Sequence, residues 1–263
     1  MTSLSPLRLK HLLAVSPIGP TAGKAVGTMR RLTANRTPEL SLLAVEEEFI
    51  GKAIRKIVKR GDVCLDIGAH IGSVAKLLED VCGRRRVHLV EAVPEKAAWL
   101  AHRFGDDFVH TCALGTTSAK VKFYVDERRP GFSSLEPRSG QGIREIEVDM
   151  RTLDDVFPDL DVKFVKIDVE GSELDVLRSG QAMIDRSRPT ILFEAGSVKN
   201  ATAQQSDDLF DWLVNTAEYD VVAAFQYGHD APCLTLDQFR LCRTYPYLAF
   251  NYLALPRTQG REE

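Results

Sequence analysis

Short apolar runs alternating with helical patterns constrain this chain more than any other feature. "VCLDI" (63–67), "RVHLVEA" (86–92), "DFVHTCAL" (107–114), "VKFVKIDVEG" (162–171) and "PTILFEAG" (189–196) are apolar segments of strand length. Between them lie stretches with helical spacing, such as "PEKAAWLAHRFG" (94–105), where Pro94 suits a first helical position, and "SELDVLRSGQAMI" (172–184). Strands that are apolar on both sides must be covered on both faces, which predicts a parallel sheet flanked by helices. Right-handed crossovers then leave the Rossmann-like, doubly wound α/β sheet as the leading topology. "AKVKFYVDE" (119–127) and "IREIEVDM" (143–150) alternate with period two and predict a small inserted β-hairpin. The final "YDVVAAF" (219–225) and "AFNYLALP" (249–256) read as antiparallel end strands.

An amphipathic helix is expected over "ELSLLAVEEEFIGKAIRKIVKRGD", ending near Gly61. Residues 1–40 form a basic lead-in, with six Lys or Arg residues against the single acid Glu39. It is expected to be partly flexible or to lie over substrate. Residues 41–256 read as one domain, and 257–263 as a polar tail.

A formal net charge of −3 over the whole chain opposes nucleic-acid binding through broad positive potential. No apolar run is long enough to span a bilayer, and the patch around His11 to Val15 is too interrupted for a signal-peptide core. The five cysteines are scattered without a CxxC pair, so neither a disulfide framework nor a zinc site is expected, and a reducing cytoplasm is the default setting.

The expected strands end in acids: Asp66, Glu91, Asp168 and Glu194. Ligands of open parallel sheets bind at these carboxyl ends, and converging carboxylates need donors or cations as partners. "DIGAHIG" follows the first strand with glycines at 68 and 72 only, so the middle glycine of a GxGxxG dinucleotide fingerprint is missing. Asp66 beside that loop suits a ligand carrying a cation, while Glu91 stands where an acid accepts bonds from ribose hydroxyls. A ribose and a cationic amino acid on one ligand describe S-adenosylmethionine.

"DIGAHIG", "LVEAVPE", "CALG", "FSSLE", "VDMRTLDD", "VKIDVEGSELDVLRSG" and "FNYLALP" occur in that order between roughly Glu46 and Pro256. In these motifs the chain resembles the FkbM family of methyltransferases. The resemblance implies a seven-stranded class I fold with the last strand antiparallel, S-adenosylmethionine as cofactor, and a hydroxyl of a small molecule, sugar, glycolipid or polyketide as acceptor. By motif position, Asp66, Gly68 and Gly72 would hold the methionine part, Glu91 the ribose, and Ala113 and Leu114 would sit against the adenine; Ala69 and His70 of the same loop also count among the cofactor-binding positions. The family commonly has Asn where this chain has His70.

Methyl transfer to a hydroxyl also needs a proton acceptor near the transferred group. Asp168 and Glu170 are the candidates, with Lys166 as a partner for either, and Asp168 also counts among the cofactor ligands. A divalent ion such as magnesium held by Asp168 and Glu194 is the less favoured alternative, since no third ligand is apparent. A nicotinamide-dependent oxidoreductase and a non-catalytic cofactor-binding module are the competing functional classes. The "PGFSSLE" loop (130–136) is a candidate lid, and His88 a hydrogen-bonded core histidine.

Overall fold

The computed structural model describes residues 38–128, 133–135, 137, 140–199 and 202–257. The basic lead-in before Pro38, most of the 130–136 loop and the tail beyond Arg257 lie outside the described residues.

Helix α1 (Pro38–Ile57) leads into strand β1 (Cys64–Ile67), followed by α2 (Ser73–Cys82), β2 (Val87–Val90) and α3 (Pro94–Phe104). Then come β3 (Val109–His110), β4 (Ala113–Leu114), β5 (Ala119–Asp126), β6 (Ile143–Arg151) and α4 (Leu153–Val156). The second half holds β7 (Phe164–Ile167), α5 (Glu173–Arg178), α6 (Gln181–Ser187), β8 (Thr190–Glu194) and α7 (Ala203–Asp211). Strand β9 (Tyr219–Ala223), α8 (Leu236–Cys242) and β10 (Asn251–Pro256) complete it.

Seven strands form one sheet in the order β3-β2-β1-β7-β8-β10-β9, parallel except for β10, which runs antiparallel to both its neighbours. This is the expected doubly wound α/β architecture with its reversed final strand. The order reverses at β1, where β2 lies on one side and β7 on the other, and that switch point is where such sheets bind ligands.

Strand alternation divides the core into two faces. Leu65, Ile67, Val165, Ile167, Ile191 and Phe193 join one cluster with residues of α5, α6 and α7. Cys64, Phe164, Leu192 and Leu253 join the other with residues of α1 and α2, including Ile54, Ala75 and Leu78. Asp66, Lys166 and Glu194 share the parity of this second set.

Two expected elements are divided in the structure. "DFVHTCAL" is not one strand: β3 stays in the large sheet, and β4 crosses into a three-stranded sheet where it runs parallel to β6. The break comes at Thr111 and Cys112, where the Cys112 amide turns back to the His110 carbonyl. The expected hairpin β5–β6 pairs from Ala119↔Met150 to Asp126↔Ile143 and forms the rest of that small sheet. "SELDVLRSGQAMI" is two helices, α5 and α6, parted at Gly180. A Cβ there would meet Leu153 at 2.4 Å, so the chain bends to let α4 approach. No helix among the described residues is long and apolar enough to cross a membrane.

Candidate active site

The carboxyl ends of β1, β2, β7 and β8 open onto a cavity of about 330 Å³, within the size range of small-molecule sites. All four strand-end acids, Asp66, Glu91, Asp168 and Glu194, line it.

Its floor is set by register. Asp66 pairs with Lys166 across β1 and β7, and parallel partners project to the same side. The Lys166 ammonium therefore lies 3.7 Å from Asp66 and 3.3 Å from Asp168, and it donates to the carbonyl of Gly68 at 3.3 Å. Asp66 is only 1% exposed, and neither carboxylate oxygen has a hydrogen bond. Burial raises its pKa, opposed chiefly by the Lys166 charge and then by the Ala75 amide at the start of α2. Burial alone would lower the pKa of Lys166, but the charges of Asp168 and Asp66 bring the net shift above its ordinary value.

The glycine loop crosses this floor. Gly68 has φ +73, and a Cβ there would stand 1.9 Å from the carbonyl oxygen of Asp168. The β1 and β7 turns thus touch backbone to backbone, and any side chain would part them. Gly72 (φ +76) answers a different need. Its Cβ would strike Leu100 and Phe104 of α3, so this glycine serves helix packing and lies off the cavity wall. His70, between them, is left-handed at φ +51, a conformation that Asn and His tolerate better than most residues.

Glu91 closes the side wall. One oxygen accepts the His70 amide and the other the Val93 amide, each at 2.9 Å. A carboxylate has roughly four lone-pair positions, so capacity for ligand hydroxyls remains. Burial raises the pKa of Glu91, and the neighbouring Lys96 ammonium opposes that shift. Ala113 and Leu114 form an apolar wall beside Cys112 and Val90. The same small sheet adds Phe123, which packs with Ala113, and Ser133 and Leu135 come from the described part of the 130–136 loop.

The β7 turn carries the mouth. Glu170 is left-handed (φ +58) and Gly171 follows at φ +108. Glu173 holds this turn by accepting the amides of Val169 at 3.0 Å and Gly171 at 3.1 Å. A Cβ on Gly171 would meet Thr202 at 2.8 Å. Asp168, Glu170 and Glu194 line the cavity together with Glu47 and Ile50 of α1. Burial, then the charges of Asp168 and Glu170, push Glu194 up to about 8. Its side chain lines the cavity and is itself exposed to solvent. Among the described residues, no group of three His, Cys, Asp or Glu side chains is arranged to hold a metal ion.

Glu47, Lys96 and Asn251 line the cavity, and Glu173 holds its β7 turn; the motif reading assigned a role to none of them. Lys96 sits one turn into α3, five residues after Glu91, and a basic residue so close to a strand-end acid was a usable signal. Asn251 opens β10 and pairs with Glu194. It is fixed by Glu46 of α1, whose carboxylate accepts the amides of Phe250 (2.9 Å) and Asn251 (3.0 Å) and the Asn251 side chain (3.1 Å). Nothing in the sequence joins positions so far apart.

Residues 66–222 match the sequence model of the "Methyltransferase FkbM domain". The chain belongs to the FkbM methyltransferase family. Its cofactor is accordingly S-adenosylmethionine. No curated protein matches the chain closely enough to count as a relative. Among solved structures, the chain is similar to a methyltransferase FkbM from Methylobacillus flagellatus KT, at 17% identity and a TM-score of 0.46. That match covers 86% of this chain and 57% of the other, so the chain spans little more than half its length. It is also similar to cofactor-bound Rv0187 from MTB, at 16% identity and a TM-score of 0.46, over 98% of this chain and 100% of the other.

The cavity fits the family's cofactor on its own chemistry. Asp66 offers two buried oxygens without hydrogen bonds to an ammonium group, Glu91 keeps acceptor capacity for ribose hydroxyls, and Ala113 and Leu114 present an apolar wall to an adenine.

Proposed function

We propose that this FkbM-family chain methylates a hydroxyl oxygen of a small molecule, sugar, glycolipid or polyketide-type acceptor. The observation that carries this reading is Asp66, buried on the cavity floor with both oxygens lacking a hydrogen bond. Its one cationic neighbour, the Lys166 ammonium, stands 3.7 Å away, so this buried carboxylate still gains from a closer cation, and the ammonium of an amino-acid-bearing cofactor is a fitting one. A pyrophosphate would meet repulsion there, which disfavours the nicotinamide alternative.

S-adenosylmethionine, when bound, supplies a methyl group on a positively charged sulfur. The residues of the chain do the rest. Asp66, Gly68, Ala69 and His70 receive the methionine end, while Glu91 receives the ribose. Lys166 keeps Asp66 and Asp168 in fixed positions through its contacts at 3.7 and 3.3 Å. Asp168, Glu170 and Glu194 surround the place where an acceptor enters, and a carboxylate there takes the proton that a hydroxyl must lose. The confined mouth aligns the acceptor oxygen and limits water.

Calorimetric titration with S-adenosylhomocysteine and, separately, with NAD tests the reading. Saturable binding of the first alone is expected, followed by transfer of labelled methyl to hydroxylated acceptors. Binding of NAD alone would overturn it.

A further inference from the structure

Three residues stand side by side at the mouth on adjacent strands. Lys166 pairs with Leu192 and Ile167 with Phe193, so the next step along β7 and β8 brings Asp168 beside Glu194. On its other flank Glu194 pairs with Asn251 of β10. Glu194 therefore occupies the middle of the mouth, on the same face as Asp66 and Lys166.

The mouth acids differ in what already holds them. Asp168 is already ion-paired with Lys166 at 3.3 Å. Glu170 sits in a left-handed turn clamped on both sides by Glu173. Among the described residues, the Glu194 side chain makes no hydrogen bond or ion pair.

We infer that Glu194 is the catalytic base, the group that receives the hydroxyl proton of the acceptor during transfer. This rests on the proposed methyl transfer and assigns its proton. The O–H bond of the acceptor breaks and its proton passes to the Glu194 carboxylate, which becomes a neutral acid. A carbon–oxygen bond forms, and the carbon–sulfur bond breaks with its electron pair staying on sulfur as a neutral thioether.

The surroundings suit the task. Desolvation first, and then Asp168 and Glu170 from the β7 turn and Glu46 from α1, raise the proton affinity of Glu194, with Lys166 of β7 opposing them. Glu47 of α1 and His70 of the β1 loop line the same cavity, and β10 contributes the neutral Asn251. A base whose pKa is pushed up to about 8 is strong enough to take a proton yet partly ionised at neutral pH.

A base at the transfer point must also feel a positive charge placed there, which allows a test needing no acceptor. Sinefungin carries an amine where S-adenosylmethionine carries its sulfonium methyl, and S-adenosylhomocysteine carries neither. Calorimetric affinities of both are measured from pH 6 to 8.5 in the full chain and in Glu194→Gln. The expected result is a wild-type preference for sinefungin that grows on the order of tenfold as pH rises, equivalent to one pKa unit of coupling. Glu194→Gln abolishes the rise and keeps S-adenosylhomocysteine affinity. A flat wild-type ratio, or a rise that survives in Glu194→Gln, overturns the assignment while leaving the cofactor reading intact. Failure of both compounds to bind wild type removes the cofactor reading and this inference with it. Should Glu194→Gln not fold, Glu194→Ser takes its place under the same criteria.

Discussion

Gly68 and Asp168 meet backbone to backbone: a Cβ on the glycine would lie 1.9 Å from the aspartate carbonyl oxygen. The contact joins the loop after β1 to the turn after β7, so these two walls of the cavity share one fixed point. Neither partner is a flexible side-chain tip, and φ +73 adds strain for any L side chain. Gly68→Ala is expected to cost roughly 3 kcal/mol or more of stability, read by urea denaturation. Any folded fraction should also lose S-adenosylhomocysteine binding. A fully stable variant that binds normally would show that the two loops separate freely.

Glu91 holds the loop after β1, because its carboxylate fixes the amides of left-handed His70 and of Val93. In Glu91→Gln one amide hydrogen bond is replaced by an N–H facing an N–H. The expected result is about 1–3 kcal/mol of lost stability for the buried donor left without an acceptor, with weaker S-adenosylhomocysteine binding. Thermal denaturation and calorimetry on the same preparation separate the two effects. Weaker binding at unchanged stability would confine Glu91 to ligand contact.

How far the sequence could be read depended on the range of the interaction concerned. The strand-end acids and the alternation of strands with helices were visible because each is a local pattern, an apolar run closed by Asp66, Glu91, Asp168 or Glu194. The turn of "DFVHTCAL" out of the large sheet was hidden, since β4 leaves to pair with β6, more than thirty residues away. The motif also hid the separate purposes of its glycines, for only the fold brings Asp168 to Gly68 and Leu100 to Gly72. Glu46 was legible merely as one of three consecutive glutamates on a helix; its partners lie more than two hundred residues onward.

That long-range tether predicts a large effect from a residue outside every motif. Glu46 is 1% exposed, and burial raises its pKa against the pull of the Asn251 and Phe250 amides. Glu46→Ala leaves three donors at the start of β10 without their acceptor. A loss of about 3 kcal/mol is expected, with Asn251 released from the wall of the site. Urea denaturation measures the first effect. Amide hydrogen exchange at Phe250 and Asn251 measures the second, and unchanged protection there would refute the tether.

The two histidines on β2 and its edge neighbour β3 predict how the fold responds to acid. His88 Nδ1 and His110 Nε2 lie 3.3 Å apart, and the His110 ring packs edge-on against Phe157 at 4.8 Å. Burial first, and then the neighbouring His88, lower His110 from 6.5 to about 4. A base with a depressed folded pKa binds its proton more readily when unfolded, so folding stability rises with pH across that interval. The contribution is present above pH 6.5 and is lost as pH falls toward 4, with an upper bound of about 3 kcal/mol for the pKa difference. His110→Gln removes the titration without adding charge. Wild-type and variant melting temperatures should therefore converge, or cross, between pH 6.5 and 4 as the wild type falls more steeply. Parallel curves over that range would mean that the imidazole pair takes up its proton in the folded state as easily as in the unfolded one.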